Sequence, residues 1–113
     1  MSLLVVHLWV GIVIVALALL AVWHPQGRRI TLYVVTLQIL LGIVLMVEGL
    51  RVPWYHYGLA ILGWVGYMTA NGMARRGTDR RTVLLVTALA TILLLIAFGI
   101  GQEVVRVSAT GSP

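Results

Sequence analysis

The chain has no cysteine and no lysine. Without cysteine it can form no disulfide, no iron–sulfur centre, no thiolate zinc site and no covalently attached c-type haem. Acidic residues are almost absent as well: Glu48, Asp79 and Glu103 are the only three. Charged residues amount to 10% of the sequence against 61% hydrophobic residues, far above the globular norm. A soluble core of 113 residues cannot hide that much apolar surface.

Hydrophobic runs fill most of the chain. Four stretches, roughly 3–23, 30–50, 55–74 and 82–102, meet the length of about 20 apolar residues needed to span a bilayer. The first lacks the basic n-region and the small-x-small cleavage site of a signal peptide, so it reads as a retained span. The expected fold is an all-α membrane protein, with residues 1–107 as one domain and 108–113 as a flexible tail. Its four transmembrane helices form an antiparallel up-down-up-down bundle, because short connections force antiparallel neighbours. His24-Pro25-Gln26-Gly27, Arg51-Val52-Pro53-Trp54 and Gly77-Thr78-Asp79 are the turns, with Thr78 or Asp79 able to cap the fourth helix.

The net charge of +5 is carried by arginine alone. Arg28 and Arg29 fall in the first loop, and Arg75, Arg76, Arg80 and Arg81 in the third. Arg51 and Arg106 fall on the opposite side. That asymmetry predicts a prokaryotic plasma-membrane protein with loops 24–29 and 75–81 cytoplasmic and both termini extracytoplasmic. The basic loops then serve topology and anionic headgroups, and no nucleic-acid partner is expected. Trp9, Trp23, Trp54, Tyr33, Tyr55 and Tyr57 sit near segment ends, as interfacial aromatics do.

His7 and His56 stand near the starts of the first and third segments. Odd-numbered segments run in the same direction, so both imidazoles belong to the outer leaflet, on helices that can be neighbours. Ionisable residues within a span mark functional sites by default. A facing pair of neutral imidazoles suits the two axial positions of a haem iron. Each histidine has a small residue one turn deeper, Gly11 after His7 and Ala60 after His56, which leaves room for a flat ring. Arg51, Tyr55 and Tyr57 are candidates for holding haem propionates. Met46 or Met68 is an alternative axial ligand. His24 has no partner histidine on its side and reads as a loop residue.

The helix faces follow from periodicity. Helix one presents His7, Gly11, Val15 and Ala18 on one side, and helix three His56, Ala60, Gly63 and Tyr67. Helix two carries Gln38, Gly42 and Gly49 on one stripe, with Met46 near it. Helix four carries Thr87, Thr91, Phe98 and Gln102. Gln38 lies at mid-membrane depth, where an unpaired amide is costly, so an interhelical hydrogen bond is expected.

The stretch from His7 to about Arg76 resembles part of heme A synthase. The residues that carry the likeness are His7-Leu8-Trp9, Arg28-Arg29, Leu37-Gln38-Ile39-Leu40-Leu41-Gly42, Pro53-Trp54-Tyr55-His56 and Leu59-Ala60. The resemblance implies haem-iron ligation by His7 and His56. The family's acidic and basic neighbours of the first histidine have no counterpart, since Val5 and Val6 precede His7 and no Glu or Arg stands near it. The likeness therefore implies haem b binding rather than synthase chemistry.

The leading expectation is thus a small b-type cytochrome. It would hold one haem b near the outer face and transfer electrons alone or within a larger complex. A second reading is a non-haem accessory subunit or homo-oligomer, whose small residues Gly58, Gly63 and Gly66 pack against a membrane-protein partner. A third is a small ion or proton transporter built on His7, Glu48, His56 and Glu103.

Overall fold

The computed structural model describes residues 2–110, and side chains through residue 106. It is all-helical, with four helices: α1 Leu3–Ala21, α2 Pro25–Val47, α3 Trp54–Arg75 and α4 Arg80–Thr110. Each packs on its neighbours in sequence, and α1 closes the bundle against α4. The pairs α1–α2 and α3–α4 are packed most closely, and the α2–α3 and α1–α4 seams are thinner. α1 and α3 therefore lie across the diagonal of the bundle. Four helices joined by short turns take the closed square, in which odd-numbered helices face each other through the interior.

The helix ends explain the differences from the expected boundaries. α2 begins at Pro25, because proline at the first helical position has its φ preset and lacks an N–H that would go unpaired there. Arg28 and Arg29 thus sit in the first turns of α2, not in a loop. At the other end, Gly49 adopts φ +106 and closes the helix. Its N–H donates to Met46 O at 3.0 Å, and the Leu50 N–H donates to Leu45 O at 3.0 Å. This is a Schellman cap, which needs the left-handed conformation that glycine takes without a Cβ penalty. Gly49 therefore lies past the helix and not on the interior stripe with Gln38 and Gly42. Gly77, at φ +80, ends α3 in the same way. Asp79 caps α4, accepting from the Thr82 N–H at 3.0 Å and from its hydroxyl at 2.8 Å. Ser2 does the same for α1. α4 continues through Ser108, Ala109 and Thr110, which were expected in the tail; the remaining tail residues 111–113 lie outside the described residues.

Three helices, α1, α2 and α4, are long and apolar enough to cross a membrane. α3 is also long, at 22 residues, but no stretch of it is as apolar as those of the other three. Its tyrosines, tryptophans, His56 and Asn71 lower its hydropathy, so it does not match the other three as an expected apolar span.

Polarity is distributed inside out. Leucine, isoleucine and valine dominate the exposed surface, including Leu20, Leu40, Leu62, Leu85 and Leu89. The buried positions are mostly small or hydroxyl-bearing: Ala18, Ala21, Ala70, Ala90, Thr31 and Thr87. An exposed apolar surface on this scale is foreign to soluble monomers and natural in lipid. The buried threonine hydroxyls of α4 are paired locally. Thr87 donates to Val83 O at 2.8 Å, and Thr91 donates to Thr87 O at 2.9 Å. The Thr91 oxygen is then free to accept from the Tyr67 hydroxyl at 2.6 Å, tying α3 to α4.

Close approach of α3 and α4 depends on glycine. A Cβ built on Gly66 would lie 2.7 Å from the Ala90 Cβ, and one on Gly63 2.7 Å from the Leu94 side chain. Both glycines are thus taken up inside the bundle, whereas the accessory-subunit reading had them packing against a partner. Lower on the α2–α3 seam, the Trp64 indole N–H donates to the Thr36 hydroxyl at 2.9 Å, and the Asn71 amide donates to Arg28 O at 3.3 Å.

Candidate functional site

The amino-terminal turns of α1 and α3 lie at the same end of the bundle, and they carry His7 and His56 to opposite walls of one cavity. The cavity measures about 260 Å³, just below the usual range for small-molecule sites. α1 contributes His7, Gly11 and Ile14 to its wall. α2 contributes Gln38, Gly42 and Met46 among others, and α3 contributes His56, Tyr57, Ala60 and Ile61. Leu94, Ala97 and Phe98 of α4, with Leu50 and Val52 of the turn between α2 and α3, complete it. A smaller cavity of about 60 Å³ lies toward the outer end of α1 and α4 and shares both histidines, Gly11, Gln38, Leu50, Val52 and Phe98.

The two imidazoles are prepared differently. His56 Nδ1 lies 2.8 Å from Ala97 O. A carbonyl only accepts, so Nδ1 carries the proton and Nε2 the lone pair. This is the arrangement in which an outer partner orients a histidine for metal ligation. His7 Nδ1, by contrast, is buried with no hydrogen-bond partner. Gln38 donates its Nε2 to His7 O at 2.7 Å, which fixes the orientation of the amide and bridges α2 to α1. Its Oε1 is left buried and unpaired. Two orphaned polar atoms in an apolar cavity cost free energy unless a ligand or water satisfies them.

A glycine from the next helix backs each ring. A Cβ on Gly42 would come 3.4 Å from Cε1 of His7, and one on Gly101 would come 2.9 Å from Cε1 of His56. Gly11 gives room to the Gln38 amide, 3.3 Å from its would-be Cβ, and to the Phe98 ring.

The sequence-derived site is brought together in part. His7, His56, Gly11, Ala60 and Tyr57 all line the larger cavity. Arg51 and Tyr55 are exposed at the same end but line neither cavity. Met46 is in the wall and Met68 is not. Glu103 pairs with Arg106 on the exposed surface, and Glu48 is exposed, so the four groups of the transporter reading do not converge on the cavity. His24 is exposed as the residue preceding α2. Gly101 and the Ala97 carbonyl were not anticipated; their part depends on the register of α4 against α3. Among the described residues, no group of three or more histidine and acidic side chains gathers as a metal site.

The arrangement fits a haem on chemical grounds. The donor set is two imidazoles, one with its tautomer fixed by Ala97. His7 Nδ1 lacks a partner, and the small residues Gly11, Gly42 and Ala60 keep the wall flat beside the rings. Compared with known families, curated proteins and solved structures, the chain matches none.

Proposed function

We propose that this chain is an integral-membrane b-type cytochrome. In this reading it crosses the bilayer four times and holds one haem b between His7 and His56. The observation that carries it is the pair of imidazoles on opposite walls of one apolar cavity, with His56 Nδ1 engaged by Ala97 O so that Nε2 is available. When bound, a six-coordinate haem supplies a one-electron couple and offers no open iron position to a substrate. His7 and His56 would hold its iron. Gly11, Gly42 and Ala60 give the ring its clearance, and Tyr57 is the propionate partner best placed in the wall.

The membrane reading is supported by the apolar exterior and by the arginines. α3 shares that exterior: Ile61, Leu62, Val65 and Met68 are exposed along its length. Six arginines sit at the end opposite the histidines, which makes that end cytoplasmic and puts the haem in the outer leaflet. Electrons pass to or from a partner at the outer face, either a soluble carrier or a larger membrane complex. The likeness to heme A synthase bears on ligation alone.

The test is an absorption spectrum of purified protein, oxidised and dithionite-reduced, for wild type, His7→Ala and His56→Ala. A sharp reduced α-band in wild type that disappears in both variants is the expected result. A colourless wild type after expression with ample haem sinks the cytochrome reading.

A further inference from the structure

The larger cavity is not closed on all sides. On α1 and α4 its wall residues are buried or half-buried: Gly11, Ile14, Leu94 and Ala97 inside, His7 and Phe98 partly covered. On α2 and α3 the wall includes Ile43, Met46, Tyr57 and Ile61, all of which are also exposed on the outside of the bundle. A residue that lines the cavity and the outer surface together marks a lip. The mouth is therefore the upper part of the α2–α3 seam. Below it that seam is tied by the Trp64–Thr36 and Asn71–Arg28 hydrogen bonds. Above Thr36 and Trp64 no side-chain hydrogen bond joins the two helices among the described residues.

The chemistry of the lips indicates what passes them. Ile43, Met46 and Ile61 are apolar, and only Tyr57 has a polar tip. Ile43 lies about 7 Å along the helix from the Glu48 cap, within the hydrocarbon of the outer leaflet on the membrane reading. Water and polar solutes have no reason to gather there. A flat, lipophilic molecule dissolved in the bilayer does.

Resting on the haem reading above, we infer that haem enters and leaves this protein sideways from the outer leaflet, between α2 and α3. The competing route is the smaller cavity, whose rim of Leu4, Leu8, Gln102 and Val105 lies on the α1–α4 seam nearer the outer end. The two seams are on opposite sides of the histidine pair, so blocking one leaves the other open.

The absence of native cysteine makes the test clean. Ile43→Cys holoprotein is labelled in detergent with a benzyl methanethiosulfonate, reconstituted into vesicles and mixed with a soluble haem-scavenging protein. Loss of the Soret band gives the rate of haem release. Val105→Cys, labelled identically, stoppers the other seam. Release from labelled Ile43→Cys is expected to be slowed by about tenfold or more, and to recover when a thiol reductant removes the label. Release from labelled Val105→Cys is expected to stay within about twofold of unlabelled protein. The reverse pattern, or equal rates in both, overturns lateral entry while leaving haem binding intact. If Ile43→Cys loses haem before labelling, Ile61→Cys on the opposite lip takes its place with the same expectations. Colourless wild-type protein removes the haem reading itself, and this inference with it.

Discussion

Gly101 lies beneath the ring of His56. A Cβ at that position would stand 2.9 Å from the imidazole Cε1, closer than real Cβ contacts come. The ring has little freedom to retreat, because its Nδ1–H is bound to Ala97 O one turn earlier on the same helix. Gly101→Val is therefore expected to push the ring off that carbonyl and to weaken haem retention by about tenfold, or about 1.4 kcal/mol. Haem titration of the purified variant measures it. Gly42→Ala is the contrast, since its Cβ would meet His7 at an ordinary 3.4 Å and leave that ring in place; its loss of haem affinity is expected to be smaller than at Gly101.

The α3–α4 contact makes a prediction that does not depend on any cofactor. Gly66→Ala places two Cβ atoms 2.7 Å apart on two helix backbones, and neither can swing away. Overpacking of this kind costs about 1–3 kcal/mol. Adding Ala90→Gly removes the clashing methyl and is expected to recover most of the loss. A double-mutant cycle by unfolding in mixed micelles checks it, and additive losses would show that the contact does not limit stability.

Gln38→Leu removes a hydrogen bond to His7 O and, with it, the orphaned Oε1. The two effects oppose each other. Interhelical hydrogen bonds in membrane proteins average about 0.6 kcal/mol, and an unsatisfied buried acceptor costs a comparable amount or more. The expected change in unfolding free energy is thus below about 1 kcal/mol in either direction. A loss of several kcal/mol would mean that Gln38 holds the bundle together by a contact beyond this bond.

Asp79 sets a pH dependence. Bonds from the Thr82 hydroxyl and amide hold its carboxyl below the usual carboxylate range. A depressed folded-state pKa means that this stabilisation is fully present above the unfolded-state value. It is lost as pH falls through the folded-state value. The amino-terminal turn of α4 is expected to loosen under acid in wild type. Asp79→Asn keeps a good capping side chain without a titrating group, so acid loosening there should disappear. Amide exchange at Thr82 and Val83 as a function of pH distinguishes the two.

Much of this arrangement was legible in the sequence, and the illegible remainder has a common physical cause. Hydrophobic runs reported four helices, and turn residues reported most of their ends to within a few positions, but not the start of α2 at Pro25 or the end of α4 at Thr110. Gly11, Ala60 and the two histidines could be grouped because spacing along one helix fixes what shares a face. Gly49 was misplaced on a stripe because periodicity alone does not reveal a left-handed cap. The diagonal placement of α1 and α3, the Ala97 carbonyl and the clearance at Gly101 all depend on how separate helices register. No single-helix pattern carries that information. Arg51 and Tyr55 were grouped with the site by nearness in sequence to His56, but the turn before α3 leaves them outside its wall.

The inside-out polarity of the bundle inverts the usual map of mutational tolerance. In a water-soluble domain, the large aliphatic residues are the positions least able to change and small surface residues the most. Here Leu20, Leu40 and Leu89 face outward, where another apolar side chain meets lipid as comfortably as leucine does. Ala18, Ala21 and Ala70 are fully buried, and each added methylene there must push neighbouring helices apart. A substitution scan scored for folded protein should therefore show its sharpest losses at alanine and glycine and its broadest latitude at leucine. Sequence drift in such a protein would erase its aliphatic residues first and leave its small ones as the lasting imprint of the fold.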